Sequence, residues 1–342
     1  MTFRLTSLFL LCCLLIAPFV FGKSISAGHP QQANVVPQSE KIKIFDPSVK
    51  APAQPDVVLF GVYPILISDL DLYKSTFNIS FYAWWRTTNK DYHPNETLEI
   101  VNANSYYFKH PDSGQNGNEY YTYVHYYAKI HQDWVMDYFP FDRQFLEVAL
   151  EDDSGSDWII FEPDFEQSHI DPNLSIKGWK ILSLTLRNSI THYDTNFGDI
   201  LSPKGMYSRL TFTIEIKREG WRPYFNYFIG FFIAAFLAIM MHFIKPEKLE
   251  VRSALLIGAI FSWVGNKYIV DQVMPITTDF TLVDYIQIAT LFAIVFSVSS
   301  FIVIDSFVSE PRRKSISDLS GILSFLVYAG FIAICTYQAI IS

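Results

Sequence analysis

Only three of the 342 residues are cysteine: Cys12, Cys13 and Cys335. None lies between residues 23 and 334, so that whole stretch must fold without a disulfide and without a thiolate-bound metal. No Gly-rich phosphate loop, metal-spaced His/Cys set or nucleophile motif is present. The histidines His110, His125, His131, His169 and His192 are scattered rather than paired at ligand spacing. These absences argue against an enzyme and call for no cofactor and no resident metal. The net charge is −8, which gives no basic surface for a nucleic acid. The front two thirds lack any long amphipathic helical pattern and any internal repeat.

The last third lacks charge. Tyr224–Ile244, Tyr285–Ile304 and Leu319–Ser342 contain no Asp, Glu, Lys or Arg, and each is long enough to cross a bilayer as a helix. The mean hydropathy of +0.18 agrees with a membrane protein. A fourth apolar segment, Glu250–Val270, is interrupted by Asn266 and Lys267 and flanked by Glu250, Arg252 and Asp271. Polar groups at membrane depth face a bundle interior or water, so three apolar helices around one polar helix suggest a pore or transport path. Four spans are few for a secondary transporter.

The N-terminus reads as an export signal: Arg4, then an apolar run Leu8–Phe21, with cleavage expected after Gly22. Residues 23–54 are rich in Pro, Gln, Ser and Lys and read as a flexible leader. Residues 55–221 read as a water-exposed β domain and 222–342 as the membrane domain. The loops holding Lys245, Lys248 and Arg312-Arg313-Lys314 are basic and are expected in the cytoplasm; Asp271–Asp284 is acidic and is expected outside. That puts the β domain and the C-terminus outside a plasma membrane, or in the periplasm if the chain is bacterial.

Eight strands are expected: Val57–Ile67, Phe77–Arg86, Leu98–Tyr107, Tyr120–Ile130, Gln144–Leu150, Trp158–Phe161, Lys180–Arg187 and Arg209–Lys217. Turns are expected at Thr87–Lys90, His110–Gly114 and Asp152–Gly155. Short strands at this spacing argue for a β-sandwich.

At 100° per residue, Glu250, Ala254, Tyr268 and Gln272 fall within about 20° of Phe261, and Ile257 and Val264 within about 60°. Arg252 falls about 180° away and points backward into the protein. The stripe is either the lining of an axial pore or a packing seam against another helix. As a lining it would set a Glu250 ring at the cytoplasmic mouth and an apolar constriction at Phe261.

The run Asp137-Tyr138-Phe139-Pro140-Phe141-Asp142-Arg143-Gln144 resembles the aromatic-Pro-Phe-Asp-x-Gln loop of the pentameric ligand-gated ion channels (the Cys-loop receptor superfamily). Glu215-Ile216-Lys217-Arg218 before Tyr224-Phe225 is similar to that family's junction between last strand and first span. Val264-Gly265-Asn266-Lys267-Tyr268-Ile269-Val270-Asp271, then Met274-Pro275, looks like a run of its prokaryotic members. The likeness covers roughly residues 55–342. The chain departs from the family in having no cysteines around the loop, no proline inside the first span and no clear tryptophan-bearing loop near Thr97–Ala103.

The resemblance implies an extracellular, immunoglobulin-like sandwich of about ten strands followed by a four-helix bundle. It implies a homopentamer in a lipid bilayer that conducts inorganic ions, opened by a small-molecule agonist, a cationic amine among the candidates, or by protons. Agonist is expected between neighbouring subunits, at Glu151, Asp153, His192, Tyr193 and Phe197 of one and Tyr82 and Trp84 of the next. Coupling to the pore is expected through Phe139, Pro140, Phe141, Asp142, Arg218 and Pro275. A carboxylate ring at Glu250 favours cations. The alternative from another class is a non-conducting sensor or adhesion module on a four-helix anchor.

Overall fold

The computed structural model describes residues 54–195, 197–198, 205–274, 277 and 279–341. The export signal, all of the leader but Gln54, and Pro275 lie outside the described residues. Nine strands are described: β1 Asp56–Asp71, β2 Thr76–Thr87, β3 Leu98–Ile100, β4 Ala103–Asn116, β5 Glu119–His131, β6 Arg143–Asp152, β7 Ile159–Pro163, β8 Trp179–His192 and β9 Met206–Arg218. They form a five-stranded sheet, β4-β5-β2-β1-β7, and a four-stranded sheet, β3-β6-β9-β8. All pairings are antiparallel except β1 with β7.

Alternation decides which side of each strand is buried. Phe77, Ile79, Phe81, Ala83 and Trp85 of β2 enter one core with Leu210, Phe212, Ile214 and Ile216 of β9, so the two sheets share their apolar interior. Phe81 touches Tyr126 of its own sheet at 5.4 Å and Phe212 of the other at 5.1 Å, in stacked and edge-on contacts of the kind aromatic pairs favour.

Two expectations are corrected here. Leu98–Tyr107 is not one strand; a turn at Val101-Asn102 sends β3 to the four-stranded sheet and β4 to the five-stranded one. The Asn102 amide holds that turn, donating to the Glu147 carbonyl and accepting from the Ala149 amide. His110–Gly114 is not the turn between strands. β4 runs through it with a bulge between Lys109 and Asp112, where His110 takes φ 55°.

Four long helices follow: α1 Trp221–Met240, continued by a short 3-10 turn to Phe243, α2 Leu249–Asp271, α3 Leu282–Phe307 and α4 Glu310–Ile341. All four are long and apolar enough to cross a membrane. Thr281 and Asp284 close a capping box at the start of α3. α4 begins nine residues earlier than the apolar run predicts, so Arg312-Arg313-Lys314 is helical rather than a loop. Pro311 suits the first turn, where its missing N–H costs nothing. Arg313 donates to the carbonyls of Val308 and Asp305, and Lys314 pairs with Asp318 one turn on.

Candidate functional site

The seven stripe residues, Glu250, Ala254, Ile257, Phe261, Val264 and Tyr268 of α2 and Gln272 at its C-terminal cap, are all exposed. Phe261 is 72% exposed and Tyr268 68%. Arg252, Leu256, Ala259, Asn266 and Val270 on the opposite face are buried. No described helix of the chain packs on the stripe, so it is not an internal packing seam. Arg252, 1% exposed, donates to the Met241 carbonyl at 3.3 Å and to Ser317 Oγ at 2.8 Å, and its guanidinium lies 5.0 Å from the Phe301 ring centre. Its charge is therefore turned away from the stripe that Glu250 shares.

The junction of strands and helices is built around a buried carboxylate. Phe139, Pro140, Phe141 and Asp142 are consecutive buried residues. Asp142 accepts from Arg218 Nε at 2.7 Å and from its terminal nitrogen at 3.1 Å, with Gln144 donating to the same carboxylate at 2.7 Å. A charge this buried persists only when paired and hydrogen-bonded. The Arg218 guanidinium lies 4.0 Å from the Trp179 ring centre and 5.0 Å from that of Phe139. Phe139 packs on Tyr227 at 5.3 Å, Phe141 on Tyr224 at 5.5 Å and on Trp221 at 5.2 Å, so the loop is seated on the top of α1. Gly220 permits this: a Cβ there would meet the Pro140 carbonyl. The Leu282 amide donates to the Asp137 carbonyl at 2.8 Å, tying the loop to α3. Burial, then the Asp279 charge, pushes the Asp137 carboxyl above its usual range.

A third cluster lies on the outer face of the four-stranded sheet. Arg209 Nε donates to Glu151 at 2.8 Å, and a terminal nitrogen of Arg209 to Tyr193 Oη at 2.8 Å. Tyr193 Oη donates to Glu151 at 3.0 Å. Tyr193, Phe197 and Tyr207 form a ring cluster with centroids 5.2 to 6.2 Å apart. Burial first, then the Glu151 charge, pushes the Tyr193 hydroxyl up to about 12 against the opposing effect of Arg209. Glu99 stands opposite Glu151 across the β3–β6 pair, and burial, Glu151 and Asp153 raise its carboxyl. Asp153 and His192 are exposed at the rim.

Tyr82 and Trp84 lie on the outer face of the other sheet. Tyr82 stacks on His125 at 4.4 Å, and Trp84 Nε1 donates to Asp164 at 3.1 Å. Trp85 is the core tryptophan, 1% exposed and stacked on Phe60. Glu151, Tyr193 and Phe197 are therefore brought together, whereas Tyr82 and Trp84 are not brought to them within one chain.

Sequence reasoning missed Arg209, Tyr207, Glu99 and Trp179. The first two were legible only through strand register, which sets Arg209 opposite Glu151 and Tyr207, two residues earlier on β9, opposite Thr191. β6 and β9 join the two charged clusters: Arg209 pairs with Glu151 at one end and Arg218 with Asp142 at the other. The interval is nine residues on each strand, roughly 30 Å of extended chain. No family profile matches the chain, and no curated protein matches it.

Proposed function

We propose that the chain is a subunit of a homopentameric, agonist-gated, cation-selective ion channel. Its strands would form an extracellular, immunoglobulin-like β-sandwich and its helices a transmembrane four-helix bundle with α2 around the axis. The observation that carries this reading is the α2 stripe. A membrane helix that presents Glu250, Tyr268 and Gln272 on one uncovered face, while packing Arg252 and Asn266 behind it, is ill suited to lipid. Water in a pore shared by five copies suits it. Glu250 then concentrates cations at the cytoplasmic mouth, and Phe261 supplies a ring that closes by dewetting.

The two outer sheet faces support a ligand site between neighbours. One subunit offers Glu151, Asp153, His192, Tyr193 and Phe197; the next offers Tyr82 and Trp84. Glu99, Glu151 and Asp153 against Arg209 favour a cation, such as an amine, and leave protons as the alternative stimulus. Closure of that site would load the β6–β9 ribbon and move the Asp142–Arg218 pair against α1 and the loop after α2, which holds Pro275. An agonist acts this way only if it binds the open state more tightly. The charge pattern of the loops favours a multi-pass protein of the plasma membrane, the inner membrane in a bacterium, with strands and C-terminus outside.

The test is reversal potential in a salt gradient across liposomes holding the purified chain. Cation selectivity that weakens in Glu250→Ala, with raised leak in Phe261→Ser, is expected. A reversal at the chloride equilibrium potential overturns cation selectivity. Absence of any current under an agonist and pH screen favours a non-conducting sensor.

A further inference from the structure

Asn266 interrupts the apolar run of α2, and neither the stripe nor the ligand clusters use it. It is 5% exposed and points at α1. Its Nδ2 donates to the Tyr227 carbonyl at 2.7 Å, and its Oδ1 accepts from the Gly230 amide at 3.2 Å. One turn earlier, Ser262 Oγ donates to the Gly230 carbonyl at 2.8 Å. Two side chains of α2 thus hold three main-chain groups of α1 within a single turn. The Tyr227 and Gly230 carbonyls each have a second lone pair to give such a donor.

Gly230 is the sole glycine of α1. A Cβ at that position would meet the Oδ1, Cγ and Cβ of Asn266. The amide of Asn266 is therefore seated in the one notch that α1 offers. The neighbouring residues Phe231, Ala234 and Ala235 all carry a Cβ and are buried. On the flank toward α3, Trp263 Nε1 donates to the Gln287 carbonyl at 3.0 Å.

We infer that Asn266 and Ser262 are positioning residues that key α2 into α1 at Gly230 and so set the rotation at which Phe261, Val264 and Tyr268 face outward from the chain. In a low-dielectric setting a lost amide clamp leaves main-chain acceptors with one partner fewer, and the rest of the α1–α2 seam is held by Arg252 on the Met241 carbonyl and by Leu256 and Ala259 clustered with Ala234 and Ala238. The inference rests on the channel reading for its consequence, a shifted gating equilibrium, but not for the contact itself.

The test uses full-length protein in liposomes on a Cys12→Ser, Cys13→Ser, Cys335→Ser background, with single cysteines placed along α2 at residues 260, 261, 263, 264, 265 and 268. Modification by a water-soluble thiol reagent maps the accessible arc. In the parent the arc should centre on Phe261 and exclude Trp263. Asn266→Ala should turn it, changing the ratio of rates at residues 260 and 265 by about tenfold, the equivalent of one or two lost hydrogen bonds. Ser262→Ala, the milder change, should turn it the same way by less. Gly230→Ala should disturb the arc through its Cβ, and adding Asn266→Ala should relieve that disturbance by removing the atoms it meets.

An arc unchanged in both Asn266→Ala and Ser262→Ala overturns the inference, whatever the currents do. If Asn266→Ala does not fold, an unchanged arc in Ser262→Ala together with a tolerated Gly230→Ala overturns it. Absence of current in the parent removes the channel reading and leaves the labelling result to decide the clamp.

Discussion

The strands and the helices differ most in what they expose. Between the sheets lie Phe60, Phe77, Phe81, Phe161 and Phe212, all fully buried, while charged side chains stand mostly outside. Among the helices Phe228, Phe231, Ile286 and Ile294 are buried together with His242, Arg252, Asn266, Thr290, Ser297, Ser300, Ser317 and Ser324. Their outer faces carry Phe225, Phe236, Leu319, Phe325 and Leu326. Water drives apolar side chains inward in the first region. Lipid is as apolar as a leucine side chain, so the second region gains from small residues and shared hydrogen bonds inside. These apolar outer faces agree with the length and hydropathy of the helices in suiting a bilayer. The boundary between the two regimes falls at the Asp142–Arg218 pair, where a charge is buried under a layer of aromatic rings.

Removing that boundary should have the largest effect. Arg218→Ala leaves Asp142 buried without its cation and should cost about 3–5 kcal/mol. Replacing both partners by apolar residues of similar size should cost far less in stability while abolishing any coupling to the helices. Thermal unfolding of the purified chain reads the first outcome; under the proposed channel function, agonist-evoked current reads the second. A small loss in Arg218→Ala would show that the junction is wetter than the structure implies.

Polar substitution on outer faces sharpens the comparison directly. Phe325→Asn on α4 should lower membrane insertion by roughly 1–3 kcal/mol. Tyr73→Ser, at a residue 74% exposed among the strands, should change stability by no more than about 0.5 kcal/mol. Equal responses at the two positions would contradict a lipid-facing α4.

pH should give the smallest effects, confined to the strands. His125 sits between Ser80 Oγ at 2.7 Å and Tyr127 Oη at 3.2 Å, and burial, then His110 and Lys109, lower its pKa. Its folded state favours the neutral ring, so the stabilisation it gives is present above the usual histidine range and is lost as pH falls through its lowered value. Tyr193 has the opposite sign: raised to about 12, it stabilises below the ordinary tyrosine value of 10.0 and loses that contribution as pH rises from there to about 12. Stability of His125→Phe and Tyr193→Phe against pH, with tyrosinate absorbance for Tyr193, checks both. A slope unchanged by His125→Phe would assign acid sensitivity elsewhere.

Much of this architecture was legible in the chain itself. Period-two alternation marked most of the strands, and uncharged runs marked the helices, because local geometry repeats in sequence. The angular argument placed Arg252 opposite Phe261 before any packing was known, since a helix has one pitch. Only the tertiary structure decided the rest. Val101-Asn102 divides one apparent strand between two sheets because Asn102 bonds to β6, 45 residues away. Arg209 meets Glu151 because strand register brings them opposite each other, and register depends on the whole sheet. Asn266 read as an isolated polar residue until α1 supplied Gly230 as its seat. Periodicity reports which way a side chain points; what it meets there depends on residues far along the chain, and no local pattern encodes that.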